Sequence, residues 1–194
     1  MKVYVAIDPD AKGYICAIAV EHGALAAVRF HPLPMVPATD RLRANAKGYT
    51  LNVRAFRDMV RTLEMHEPNV TVAVEQSQSW PGMGGASAFR YGMLFGRILT
   101  TLDLLDIAYR LVRPARWWTD LDLPIHRGSV SHNEKRKWRE KVLAQRIADF
   151  FPSATLPLRP RAGTIQPGAA SAFAMAWWLH NSATGRELLD PTQW

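Results

Sequence analysis

Apolar and polar positions along the chain fall into short buried runs separated by turns. Val3 to Ile7 is apolar throughout and closes on Asp8, the pattern of a strand covered on both faces. Lys12-Gly13 marks a turn, and Tyr14 to Glu21 predicts a second strand. His22-Gly23 is a hairpin-like turn into a third, Ala24 to Phe30. His31 to Thr50 holds Pro32, Pro34, Pro37 and Gly48 and predicts an irregular loop. Asn52 is placed to cap a helix to about His66, with Val53, Phe56, Val60 and Leu63 at near-helical spacing. Pro68-Asn69 breaks it, and Val70 to Val74 forms another strand closing on Glu75.

A glycine-rich loop, Gln76 to Gly85, follows. Then come an apolar helix from Ala86 to about Asp106 and a strand from Ile107 to Val112. Pro114 starts a short helix, and a basic helix runs from Asn133 to Phe151, where Pro152 stops it. A last helix runs from about Pro167 to His180, with proline in its first turn. Hairpin strands first and strand–helix alternation later predict an α/β layer with a mixed sheet, antiparallel then parallel. At 194 residues the chain reads as one domain, residues 1–194, with a substantial core.

Composition narrows the classes. No apolar run approaches the ~20 residues that span a bilayer. The N-terminus enters a strand with no signal-peptide layout, so a cytoplasmic protein without membrane contact is expected. The lone Cys16 sits in an apolar run and reads as a small core residue. The net charge is +7, and Ala108 to Arg146 holds ten Lys or Arg against four acids, an excess of +6. Such clustering is the footprint of a polyanion, although a solvated face on a basic protein has the same composition.

Asp8 and Glu75 carry the candidate chemistry. Carboxylates ending two buried strands are costly unless compensated, and the usual compensation is a metal ion. Two-metal phosphodiester hydrolysis uses several such acids to hold ions ~4 Å apart. Asp10 offers a further oxygen, but an Asp here also suits a turn.

The ordered series Ile7-Asp8-Pro9-Asp10-Ala11-Lys12-Gly13, Val74-Glu75-Gln76, Ser87 to Gly96, Arg113-Pro114-Ala115-Arg116-Trp117 and Lys135 to Phe151-Pro152 resembles the RuvC-like Holliday junction resolvases, bacteriophage-type branch, of the RNase H-like superfamily. The resemblance covers nearly the whole chain. It implies an RNase H-like fold with a mixed five-stranded sheet flanked by helices. It also implies Mg2+ or Mn2+ held by Asp8 and Glu75 as catalytic ligands, and a homodimer acting on four-way or other branched DNA.

Two departures stand out. The family's last helix begins with a pattern like Asp-Gly-Arg-Ala-Asp/Glu-Ala, whose acids complete the metal site. Here the frame reads Pro167-Gly168-Ala169-Ala170-Ser171-Ala172. Pro167 and Ser171 thus stand where acids are expected, which weakens a second ion most. Asp10 stands where the family usually has glycine. His126, His132 and His180 are candidate substitutes by chemistry alone.

For DNA, Lys135, Arg136, Lys137, Arg139 and Lys141 are the expected phosphate contacts, joined by Arg113 and Arg116. Trp80 suits stacking on an unpaired base at the crossover, or else covers a core edge. The helix with Gly92 and Gly96 is the expected dimer face, since small residues four apart let backbones approach. Three functions follow: a metal-dependent branched-DNA endonuclease, a relative that binds DNA without cutting, and an RNA-directed nuclease of the same superfamily.

Overall fold

The computed structural model describes residues 1–37, 49–76, 83–121, 132–160 and 163–185. In chain order its elements are β1 (Lys2–Ile7), β2 (Tyr14–Glu21), β3 (Ala24–Pro32), β4 (Met35–Pro37), β5 (Tyr49–Leu51), α1 (Val53–Thr62), β6 (Val70–Glu75), α2 (Gly85–Asp103), β7 (Tyr109–Val112), α3 (Pro114–Asp120), α4 (His132–Phe150) and α5 (Pro167–Gly185). The main sheet has five strands in the order β3-β2-β1-β6-β7. The β1–β2 and β2–β3 pairs are antiparallel, and the β1–β6 and β6–β7 pairs are parallel. The predicted mixed sheet is therefore present, antiparallel in its first half and parallel in its second.

Local rules explain most element boundaries. His22 and Gly23 both take positive φ, 50° and 81°, as a two-residue primed hairpin turn requires. Asn52 caps α1 by accepting a hydrogen bond from the Ala55 N–H at 3.1 Å. That helix ends at Thr62 rather than near His66, and Glu64 turns the chain at φ 49°. The segment expected to be irregular holds two further strands: β4 and β5 pair antiparallel beside the main sheet. Their shortness and three prolines hid them, because three residues carry no readable period.

Strand alternation divides the core into two layers. Tyr4, Ala6, Cys16, Ile18 and Ala73 face α5 and α4, against Phe173, Met175, Leu179, Leu143 and Ile147. Val5, Ile7, Ile15, Val72 and Val74 face the other side, against Phe56 and Val60 of α1 and Leu94, Ile98 and Leu102 of α2. Both sheet faces are thus covered, which is why β1 and β6 read as continuous apolar runs. Helix α5 is buried nearly all round, and its alanines let it lie close on β1 and β2. Cys16 is fully buried in this layer, as expected of a small core residue.

Polar latches fix the helices near the sheet's parallel end. The indole N–H of Trp178 donates to Asp120 Oδ2 at 2.9 Å, tying α5 to α3. The Arg146 guanidinium donates to the Leu121 carbonyl and lies 4.9 Å over the Trp177 ring. Glu140 on α4 is 3% exposed and pairs with Arg159 at 2.8 Å. Trp117 and Trp178 are buried and Trp177 stacks on Phe173, so all three serve packing; the side chain of Trp118 lies outside the described residues.

Candidate functional site

β1 and β6 run parallel and in register, with Ile7 opposite Val74. The next residue on each is an acid, so Asp8 and Glu75 are neighbours at the C-terminal edge of the sheet. Strand alternation sends both towards the α5 layer, the side that holds Ala6 and Ala73. Asp8 is held beyond the strand by its N–H, which donates to the Tyr14 carbonyl at 2.9 Å. It is 7% exposed, and Glu75 is half-buried.

The electrostatics are those of a site in need of positive charge. Burial first, then the charges of Glu75 and Asp10, push the Asp8 carboxyl well above the usual range, against a hydrogen bond from the Asp10 N–H. Burial first, then Asp10, raises Glu75 to about 7. Asp10 itself is exposed and forms the turn that leads back into β2. Its carboxylate accepts from the Ala11 N–H, and the Gly13 N–H donates to its carbonyl at 2.8 Å.

Two glycines let the backbones close around Asp8. A Cβ on Gly13 would lie 1.9 Å from the Asp8 carbonyl oxygen. A Cβ on Gly168, in the first turn of α5, would lie 2.4 Å from the Lys12 carbonyl and 3.2 Å from Asp8 Oδ2. The start of α5 is therefore pressed directly against the Asp8 carboxylate. This is where the missing acids were expected, and no acid stands in that turn. Ser171, half-buried, follows one turn further on.

The donor set suits one hard cation. Mg2+ is commonly bound through one or two carboxylates, with water and phosphate oxygens filling the remaining positions. Asp8 and Glu75, adjacent at one sheet edge with their ionisation opposed by burial and neighbouring negative charge, meet that description. No group of three His, Cys, Asp or Glu suited to a metal is assembled among the described residues. The only other carboxylate whose charge is felt at both acids is, among the described residues, that of the exposed Asp10. His180 does not substitute: it is buried in the core against the Tyr4 ring at 5.3 Å. His126 and Trp80 lie outside the described residues, as does the side chain of His132.

The expected phosphate contacts separate. Lys137 and Lys141 are exposed on α4, and Arg139 is half-buried beside Glu140. The side chains of Lys135 and Arg136 lie outside the described residues. Arg116 is already engaged, its Nε 3.2 Å from Asp120 Oδ2. Arg113 stands next to the acids in the sheet, one residue past Val112, which pairs with Glu75. Its Nε donates to Gln76 Oε1 at 3.2 Å. Sequence reasoning had not linked Gln76 to Arg113, although Gln76 directly follows an acid and Arg113 directly follows a strand.

Comparison with solved structures identifies the architecture. The T. thermophilus RuvC in complex with a Holliday junction substrate superposes with a TM-score of 0.55 at 15% identity, over 95% of this chain and 97% of that one. A second Thermus thermophilus RuvC structure gives 0.50 at 16% identity, over 96% and 99%. This chain has the RuvC-like resolvase fold. A Fowlpox virus resolvase bound to Holliday junction DNA is also similar, at TM-score 0.46 and 11% identity, over 94% and 97% of the two chains. No family model matches the chain, and no curated protein matches it in sequence. Among the described residues, no helix is long and apolar enough to cross a membrane.

Proposed function

We propose that this chain, residues 1–194 acting as one RNase H-like domain, is a RuvC-like protein that binds four-way or other branched DNA and hydrolyses it at a one-ion site. The observation that carries the reading is the adjacency of Asp8 and Glu75 at the C-terminal edge of two parallel strands, both with raised carboxyl pKa values. The two carboxylates hold a single Mg2+ or Mn2+. Such an ion, when bound, polarises a phosphodiester and lowers the pKa of a water molecule. The protein's own part is to fix the two oxygens: Asp8 through the backbone that packs around it, Glu75 through the β6–β7 ladder.

DNA reaches this edge along a positive surface. Arg113 near the acids and Lys137 and Lys141 on α4 supply phosphate contacts, with Lys135, Arg136 and Arg139 on the same helix and Arg116 on α3 reinforcing the field. Trp80 enters the crossover and stacks on a base. Two copies meet through α2, matching the two-fold character of a junction. On that helix Phe89 is 70% and Met93 42% exposed. Added Cβ atoms on Gly92 and Gly96 would meet nothing within 4 Å among the described residues, which leaves room on this face for a second copy.

The absence of an acid in the first turn of α5 favours a second reading, a junction-binding protein that does not cut. One assay separates the two: cleavage of a synthetic four-way junction in Mg2+ or Mn2+, compared with Asp8→Asn. Cleavage that requires Asp8 supports hydrolysis. Tight junction binding with no Asp8-dependent product supports the second reading. A protein that binds the junction no better than a plain duplex defeats both.

A further inference from the structure

Arg113 is an exposed cation at the sheet edge with no ion pair to a described carboxylate. Arg57, Arg116 and Arg159 each pair with a carboxylate, to Asp58, Asp120 and Glu140. Arg113 is exposed, and no carboxylate lies within ion-pair distance among the described residues. It is nevertheless anchored. The Gln76 N–H donates to the Val112 carbonyl at 2.8 Å, which sets Gln76 alongside Arg113, and the Gln76 side chain accepts from Arg113 Nε at 3.2 Å. A neutral amide is a telling partner here. It orients the guanidinium without cancelling its charge and leaves Nη1 and Nη2 available as a fork.

Position along the strands sets what this fork can reach. Gln76 and Arg113 follow Glu75 and Val112 by one residue, and strand alternation turns them from the α5 side towards the α2 side. We infer that Arg113 clasps the backbone phosphate next to the one held at Asp8 and Glu75, on the α2 side, and that Gln76 is its positioning residue. The inference rests on the branched-DNA reading above and adds a phosphate register to it. It also gives Gln76 a role distinct from that of its neighbour, Glu75.

The test is a binding series on four-way junctions in which single phosphates around the crossover are replaced, one at a time, by uncharged methylphosphonates. Binding is measured in Ca2+ at low salt for the full chain. Arg113→Gln is expected to bind the unmodified junction about tenfold more weakly, the scale of one charge-assisted contact. That deficit is expected to vanish on the junction lacking one particular phosphate, adjacent to the crossover. Arg113→Lys is expected to recover part of the affinity. Gln76→Ala is expected to lose about threefold in the wild-type background and nothing further once Arg113 is Gln. Arg29→Gln, on the far edge strand β3, controls for net charge and should show no dependence on phosphate position. Thermal melts of all variants should coincide with the wild type, which separates a phosphate contact from a structural tie. A wild type that binds junctions while Arg113→Gln binds equally well, or loses the same factor at every modified phosphate, overturns the inference alone. A wild type that shows no preference for branched DNA overturns the functional reading, and the inference with it.

Discussion

Replacing Glu75 by Gln should stabilise this protein at neutral and alkaline pH, even though it removes a candidate functional group. The Glu75 carboxyl is raised from 4.5 to about 7 by burial and by the charge of Asp10. At roughly 1.4 kcal/mol per unit, a shift of this size corresponds to about 3 kcal/mol as an upper bound. The sign follows from linkage. Below about pH 4.5 the group is protonated folded or unfolded, and its ionisation costs nothing. Between about 4.5 and 7 the unfolded chain releases the proton while the folded chain retains it, so stability falls as pH rises. Above about 7 the full cost is in place. Asp8, also raised, adds a slope of the same sign. Urea denaturation in EDTA from pH 4.5 to 8.5 should show the wild type losing stability across that window. Glu75→Gln should show a clearly flatter profile and, at pH 8, a higher melting temperature by on the order of 5–10 °C for a chain of this size. Adding Mg2+ at pH 8 should recover stability in the wild type and little in the variant, because ligand binding to the folded state raises its stability. A wild-type profile that is flat or rising with pH in EDTA, matched by Glu75→Gln, would refute the idea of a strained acid pair awaiting a cation.

Three further outcomes follow from the same geometry. Gly168→Ala should destabilise by about 2 kcal/mol or more and weaken Mg2+ binding together, because its Cβ would meet the Lys12 carbonyl at 2.4 Å; denaturation and calorimetric titration read the two effects. Ser171→Asp should raise the number of Mn2+ ions bound per chain from one towards two, as measured by titration under saturating conditions; unchanged stoichiometry would remove Ser171 from the missing-acid account. Phe89→Asp should convert a dimer to a monomer in sedimentation at micromolar concentration while leaving monomer stability within about 0.5 kcal/mol, since Phe89 is 70% exposed.

Much of the fold was legible because its signals are local. Apolar runs closed by acids marked β1 and β6, turn residues marked the β2–β3 hairpin, and Asn52 and Pro167 marked the starts of α1 and α5. The pair β4–β5 was missed because three-residue strands carry too few positions for a period to show. On α4 the sequence showed a basic helix. The structure buries Glu140 within it and pairs that acid with Arg159, a contact between residues 19 apart that no spacing rule predicts.

The candidate site divides along the same line. Sequence alone determined which side chains carry charge, that Asp8 and Glu75 end buried strands, and that the first turn of the last helix has no acid. Only the tertiary structure decided that the two strands are parallel neighbours in register, that Gly168 brings α5 against Asp8, and that Arg113 is tethered to Gln76 while Arg116 is latched to Asp120. The physical reason is the range of the forces involved. Periodicity, caps and turns are settled within a few residues of chain, whereas the pairing of distant strands and the neutralisation or isolation of a charge depend on which surfaces meet after the core has closed.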